Sequence, residues 1–173
     1  MRIKETKVYS FAELSDEAKE SAIENMADIN VDYNWWESTY EDATNVGIKI
    51  TSHDEQMGCE GDFVESAEET AEKVISDHGK ICETYKTATK YLHDRAKLVK
   101  KYSDGVTVDL VTEDNEYDFD NDCDDLDAEF LRSLLEDYRI ILQKEYEYLT
   151  GEQAIQDTIE ANEYEFTEDG ILS

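Results

Sequence analysis

Apolar residues recur every three to four positions in six segments of the chain, and this spacing predicts six helices. The predicted helices cover 16–29, 35–46, 66–79, 80–102, 122–149 and 152–161. Ser15 and Ser66 precede acidic first turns, as helix N-caps do, and Asp122 or Asp124 is a candidate cap for the fifth helix. Gly47, Gly79 and Gly151 supply natural stops between helices.

The two longest predicted helices each carry a clear apolar stripe, so each is expected to bury one face. The stripe of the 80–102 helix comprises Ile81, Tyr85, Ala88, Leu92, Val99 and Tyr102. The stripe of the 122–149 helix comprises Leu126, Phe130, Leu134, Tyr138, Ile141, Leu142 and Leu149.

Strand signals are few and short. Partial alternation over 3–11, alternation over 48–51 and a short apolar run at 106–108 predict strands, and 164–172 resembles a small terminal hairpin. Gly58 and Gly61 predict a turn before Phe63, and 103–105 predict another.

The fold class expected is α+β, with several helices packed on a small antiparallel sheet. No proline and no linker composition interrupts residues 1–173, which are therefore expected to form a single domain.

Charge changes this picture most. The 173 residues include 45 acidic and 16 basic residues, a formal net charge of −29. A protein that binds a phosphate backbone needs a dominant positive field, so direct nucleic-acid binding is excluded.

No apolar run approaches the roughly 18 residues of a membrane span. Three widely spaced cysteines and no leader-like N-terminus indicate a reducing, cytoplasmic location.

The charge is unevenly distributed. Residues 80–101 hold seven basic and two acidic residues, whereas 109–130 hold eleven acidic residues and no basic one. We expect the basic helix to lie against the acidic segment and reduce the self-repulsion of the fold. A net charge of roughly 2–8 satisfies solubility for a small domain, so the excess suggests a positively charged partner.

Carboxylates on a rigid helix imitate part of the charge pattern of duplex DNA. The sequence therefore favours a non-catalytic DNA-mimic inhibitor that blocks the cationic site of a host nucleic-acid-handling or defence protein, in the manner of anti-restriction or anti-CRISPR proteins. Two acidic segments and one aromatic pair are the candidate partner-binding residues: Asp114, Glu116, Asp118, Asp120, Asp122, Asp124, Asp125 and Asp127; Glu65, Glu68, Glu69 and Glu72; Trp35 and Trp36.

Two other readings stay open. Trp35 and Trp36, with Tyr33 and Tyr40, suggest a protein–protein adaptor or a self-assembling module, because Trp and Tyr are enriched at interface hot spots. Asp118, Asp120, Asp122 and Glu129 match positions 1, 3, 5 and 12 of an EF-hand loop, which would bind Ca²⁺, although Cys123 replaces the turn glycine.

No phosphate-binding glycine loop and no nucleophile-elbow motif is present, so neither an enzyme nor a cofactor is predicted.

Both ends of the chain resemble small acidic proteins carried by phages and mobile elements. The resemblance lies in 8–19 (VYSFAELSDEAK), 30–37 (NVDYNWWE) and 160–170 (EANEYEFTEDG). It implies a phage or mobile-element origin and favours an inhibitor of host defence, by analogy. It supplies no site residues.

Overall fold

The computed structural model describes residues 7–54, 58–103 and 113–173, with side chains for all of these except 103 and 113–117. It confirms the α+β class, with helices accompanied by two antiparallel pairs of strands. The elements in chain order are β1 (Tyr9–Ser10), a 3₁₀ turn (Phe11–Glu13), α1 (Asp16–Asn25), α2 (Glu37–Asn45), β2 (Ile48–Asp54), β3 (Gly58–Phe63), α3 (Ala67–Asp77), α4 (Glu83–Ser103), α5 (Glu113–Leu149), α6 (Glu152–Ala161) and β4 (Glu165–Phe166).

Two compact units divide the chain. Unit 1 comprises Met1–Trp35 and Gln143–Ser173, and unit 2 comprises Trp36–Leu142. The boundary falls inside α5, so no linker composition marks it in the sequence.

Unit 1 contains β1 paired antiparallel with β4, together with α1 and α6. Its core consists of Phe11, Leu14, Ala18, Ala22, Met26, Ile155, Ile159 and Phe166. Gly170 is required here because its φ of +78° is left-handed, and because a Cβ at this position would collide with the Ala18 carbonyl oxygen of α1. The turn at 167–170 precedes a bridge between Phe166 and Leu172, so the terminal hairpin predicted from sequence is present.

Unit 2 is built from the β2–β3 hairpin and α2 to α4, with α5 up to Leu142. Its core gathers Ala43, Val46, Ile48, Ile50, Ala67, Ala71, Val74, Ala88, Tyr91, Phe130, Leu134, Leu135 and Tyr138. Tyr91 of α4 stacks on Phe130 of α5, with ring centroids 4.2 Å apart. This stacking places α4 directly beside the acidic helix.

Several predicted boundaries hold. Ser15 accepts a hydrogen bond from the Ala18 amide and Ser66 one from the Glu69 amide, so both are N-caps as predicted. Gly47 follows α2 with a φ of +98°, and α6 covers the residues predicted for it. The first helix ends at Asn25, four residues earlier than expected.

The turn predicted at Gly58 and Gly61 is wrong, because both glycines lie within β3. Position 61 requires glycine, because a Cβ there would lie 2.6 Å from the Lys49 carbonyl oxygen of the neighbouring strand.

The predicted stripe of α4 is also corrected. The helix begins at Glu83, after a turn closed by the Cys82 amide on the Gly79 carbonyl. Ile81 therefore precedes the helix and is 88% exposed. The buried residues of α4 are Thr84, Ala88 and Tyr91, whereas Val99 is exposed.

Neither Asp122 nor Asp124 caps a helix, because α5 already begins at Glu113. The strand predicted at 106–108 lies outside the described residues, as do the turn residues 104 and 105 and the first residues of the strand predicted over 3–11.

Candidate anionic binding surface

A stripe of carboxylates runs along α5. Asp118, Asp122, Asp125 and Glu129 are spaced by four, three and four residues, which places them on one side of the helix. Three of them are exposed and Asp122 is partly exposed. The buried side chains of the same helix, such as Phe130 and Leu134, occupy other positions of the helical repeat. We call these four residues the α5 stripe.

The remaining predicted acids of this segment are not in the stripe. Asp120 and Asp124 are exposed, but their positions in the repeat place them more than 100° of helix rotation from Asp118. Asp127 turns inward, where it accepts hydrogen bonds from the Tyr91 hydroxyl at 2.7 Å and from Arg95 at 3.2 Å. Asp114 and Glu116 belong to α5, but their side chains lie outside the described residues.

The four predicted acids around α3 separate into two groups. Glu65, Glu69 and Glu72 line an open concave surface of about 620 Å³ with Lys73 and Ser76. Lys73 pairs with Glu65 at 2.6 Å, which partly neutralises this surface. Hydrogen bonds from Ser66 lower the pKa of Glu69 and keep its charge.

Glu68 is not part of that surface. It accepts a hydrogen bond from Arg95 Nε at 2.7 Å, and is therefore committed to holding α3 against α4.

The basic helix α4 compensates the acidic helix, as predicted. Lys90 lies 3.5 Å from Glu129, Arg95 reaches Asp127, and Lys101 lies 3.0 Å from Asp122. Tyr102 also donates to Asp122, and these contacts hold the pKa of Asp122 below its usual range. Two residues of the α5 stripe thus have intramolecular cations.

Carboxylates of unit 1 are held differently. Neutral side-chain amides donate to three of them at 2.8–2.9 Å, each one turn away on the same helix: Gln143 to Glu147, Gln153 to Asp157 and Gln156 to Glu160. A neutral donor fixes the carboxylate without cancelling its charge. The ion pairs named above, in contrast, join residues of unit 2.

The two tryptophans belong to different units. Trp35 belongs to unit 1 and packs on Tyr146, with ring centroids 5.6 Å apart. Trp36 belongs to unit 2 and packs on His53, which Tyr40 also contacts. Both indoles are half-buried. The adaptor hypothesis stays a prediction.

The EF-hand expectation is wrong in its geometry. Residues 118–129 form continuous helix, whereas an EF-hand ligand set requires a loop that folds around the ion. Asp120 also points away from Asp118 and Asp122. Across the residues that the structure describes, no three His, Cys, Asp or Glu side chains are grouped so as to hold a metal ion.

Sequence reasoning overlooked Asp137. This carboxylate is half-buried and accepts a hydrogen bond from Thr87 at 2.7 Å. A signal was present, because an acid between Leu134 and Tyr138 interrupts the buried side of a helix. In a chain with 45 acidic residues, this single position is difficult to distinguish from the others.

Comparison with known proteins leaves the surface without a precedent. No protein-family model matches the chain, no curated protein is significantly similar to it, and no solved structure matches its fold significantly. Within the described ranges, none of the helices combines the length and apolar character needed to cross a membrane. Function therefore has to be inferred from the surface itself.

Proposed function

We propose that this protein is a non-catalytic, cytoplasmic binding protein that acts as a DNA mimic. Its carboxylates would occupy the cationic site of a nucleic-acid-handling or defence protein of a bacterial host. The observation that carries the proposal is the α5 stripe, in which four carboxylates follow one side of a single helix.

The stripe approaches the charge density of a DNA strand. A helix rises about 1.5 Å per residue, so Asp118 and Glu129 are separated by about 16 Å along the axis. The four carboxylates are separated by three intervals over this length, so their mean spacing is about 5.5 Å. One strand of duplex DNA presents a charge every 3.4 Å. A protein site that places Lys and Arg along a strand would find similar spacing here.

The intramolecular lysines do not block such a partner. Lys90 and Lys101 are 68% and 64% exposed, and exposed ion pairs contribute only about 0–1 kcal/mol. A cationic site that presents several positive groups at once would displace them, because its long-range field adds to the local contacts.

The wider surface supports the same conclusion. Unit 1 carries 17 acidic and 5 basic residues, and the amide donors described above hold several of its carboxylates without adding a positive charge. A negative field of this extent speeds association with a cationic protein and repels nucleic acid itself.

Immobilised protein should be tested for capture of nucleic-acid-binding proteins from a bacterial lysate at low salt. We expect the captured proteins to be released by a salt gradient and by excess 20-base-pair duplex DNA, since both compete for the same cationic site. Capture that persists in 1 M salt and resists duplex DNA would exclude the mechanism.

A matched pair of variants on the same helix tests the stripe. D118N/D125N removes two charges from the stripe, and D120N/D124N removes two charges from other sides of α5. We expect the first variant to weaken binding to an identified partner at least tenfold and the second to have a much smaller effect. Equal losses would mean that net charge alone governs binding.

A further inference from the structure

An open cavity of about 580 Å³ lies in unit 2, where the start of β3, α4 and α5 meet. It is lined by Gly58, Cys59, Thr87, Arg132, Ser133, Leu135, Glu136 and Asp137. Its volume falls within the range of small-molecule pockets, and both apolar and polar side chains line it.

One carboxylate in this cavity lacks a cation. Asp137 is half-buried, and its Oδ2 accepts only the Thr87 hydroxyl. Among the residues that the structure describes, none forms an ion pair with it or donates to its Oδ1. The other partly buried acids described in unit 2 are Asp94, Asp122 and Asp127, and they pair with Lys97, Lys101 and Arg95. Asp137 is therefore the exception within its own unit.

The charged residues near Asp137 do not supply the missing cation. Glu136 is held by a bidentate contact with Arg139, at 2.8 Å on both oxygens, so that arginine is already committed. Arg132 lies at the exposed edge of the cavity. Burial raises the pKa of Asp137, and repulsion from Glu83 and Glu136 adds to the effect. The Thr87 hydrogen bond and Lys86, which pairs with Glu83 at 2.6 Å, act against it without reversing it.

Burial and nearby carboxylates also affect the Cys59 thiol in this cavity. The pKa of Cys59 is raised to about 11, chiefly by burial and further by Glu136 and Glu60. The thiol therefore stays protonated at neutral pH and contributes no charge. With Leu135, it forms an apolar wall that would suit the aliphatic stem of a long basic side chain.

We infer that this cavity is a docking pocket for a basic side chain of the partner protein, with Asp137 as its anion. The inference rests on the proposed function, which supplies a cationic protein partner. An arginine would place its stem along Cys59 and Leu135 and direct two N–H groups at the free side of the Asp137 carboxylate. A basic side chain seated in a pocket is a typical interface anchor.

Capped arginine (N-acetyl-L-arginine amide) is the probe, and capped citrulline is its neutral isostere. We expect arginine to shift the amide NMR resonances of Cys59, Thr87 and 133–137 in a saturable manner. Citrulline should bind at least about tenfold more weakly, because it is neutral and cannot donate a charge-assisted hydrogen bond. Equal binding of both probes, or shifts spread over the whole acidic surface, would overturn the inference.

Two variants give the control. D137N should abolish the arginine-specific shifts, whereas D120N, which removes an exposed charge of the same helix, should leave them unchanged. D137N should also fold normally, because it removes a half-buried charge that has no cation. In the wild type, arginine should lower the titration midpoint of the Asp137 carboxyl, and citrulline should not. A midpoint that stays constant would also overturn the inference.

The two proposals fail separately. If capped arginine does not enter the cavity but duplex DNA still displaces captured proteins, the pocket is wrong and the DNA-mimic proposal stands. If arginine enters the cavity but no DNA-competed partner is captured, the proposed function is wrong and only a cation site remains.

Discussion

Individual residues show how a molecule with so many acids keeps some of them inside. Asp42 of α2 lies 3.4 Å from Nε2 of His78, and the Tyr138 hydroxyl donates to the same carboxylate at 2.9 Å. His78 Nδ1 lies 2.7 Å from the Thr84 hydroxyl. Contact with Asp42 raises the pKa of His78 against the opposing effect of burial, and His78 together with Tyr138 lowers the pKa of Asp42. The four side chains thus connect α2, the end of α3, α4 and α5 within unit 2.

This network predicts a pH-dependent stability. Because the folded-state pKa of His78 lies above its ordinary value of about 6.5, its stabilising contribution is complete below that pH. The contribution is lost as the pH rises through the folded-state pKa. The Asp42 carboxylate has a lowered folded-state pKa, so its stabilising contribution is lost only on strong acidification. Between pH 6 and 8.5 the wild type should therefore lose more stability than D42N, by a few tenths to about 1 kcal/mol because Asp42 is half-exposed.

Urea unfolding of both proteins at the two pH values measures this difference. D42N keeps an oxygen acceptor for Tyr138, so it removes the charge and little else. Identical pH profiles for the wild type and D42N would contradict the assignment.

At the scale of elements, one arginine ties three helices together. Arg95 of α4 is 19% exposed and contacts both Glu68, just inside α3, and Asp127 of α5. Lys97, one half-turn further along α4, is 62% exposed and pairs only with Asp94 of its own helix. The two residues offer a direct comparison between a cation that links helices and one that does not.

We expect R95M to lower the free energy of unfolding by about 1–3 kcal/mol, because it leaves Asp127 partly buried without its cation. K97M, which also replaces a charge with an apolar chain, should change it by no more than about 0.5 kcal/mol. Urea midpoints at constant slope provide the measurement. A similar loss in both variants would show that Arg95 acts only through net charge.

Some features of the helices could be predicted from the sequence, and others could not. The caps at Ser15 and Ser66 and the stops at Gly47 and Gly151 were predictable because each acts on its immediate neighbours. The buried face of α4 was not, since Ile81 and Val99 are apolar but exposed. The stacking of Tyr91 on Phe130 fixes the rotation of this helix, and that contact joins residues 39 positions apart.

For the whole molecule, a net charge of −29 opposes folding through self-repulsion. Unit 1 carries a formal net charge of −12 and unit 2 one of −17, and the described ion pairs relieve the repulsion locally within unit 2. The single-domain assignment for residues 1–173 stays a prediction, and one cooperative unfolding transition would agree with it.

Salt should therefore stabilise the protein. Raising the ionic strength from 0.01 M to 0.15 M shortens the Debye length from about 30 Å to about 8 Å and screens most of the repulsion. We expect Tm to rise by roughly 2–8 °C, which corresponds to about 1–2 kcal/mol for a chain of this size. Thermal unfolding in NaCl and in KCl should give the same rise, because screening does not depend on the cation. A constant or falling Tm would contradict this account.

The sequence alone determined the α+β class, most helix positions, the excess of negative charge and the pairing of a basic helix with an acidic one. These follow from local periodicity, capping and the signs of charges, which are properties of nearby residues. Only the tertiary structure decided which acids remain available. It turned Asp127 and Glu68 toward Arg95, extended α5 through the expected calcium loop and left Asp137 without an ion pair among the described residues. The physical reason is that a carboxylate's role depends on what packs against it, and those partners lie far away along the chain.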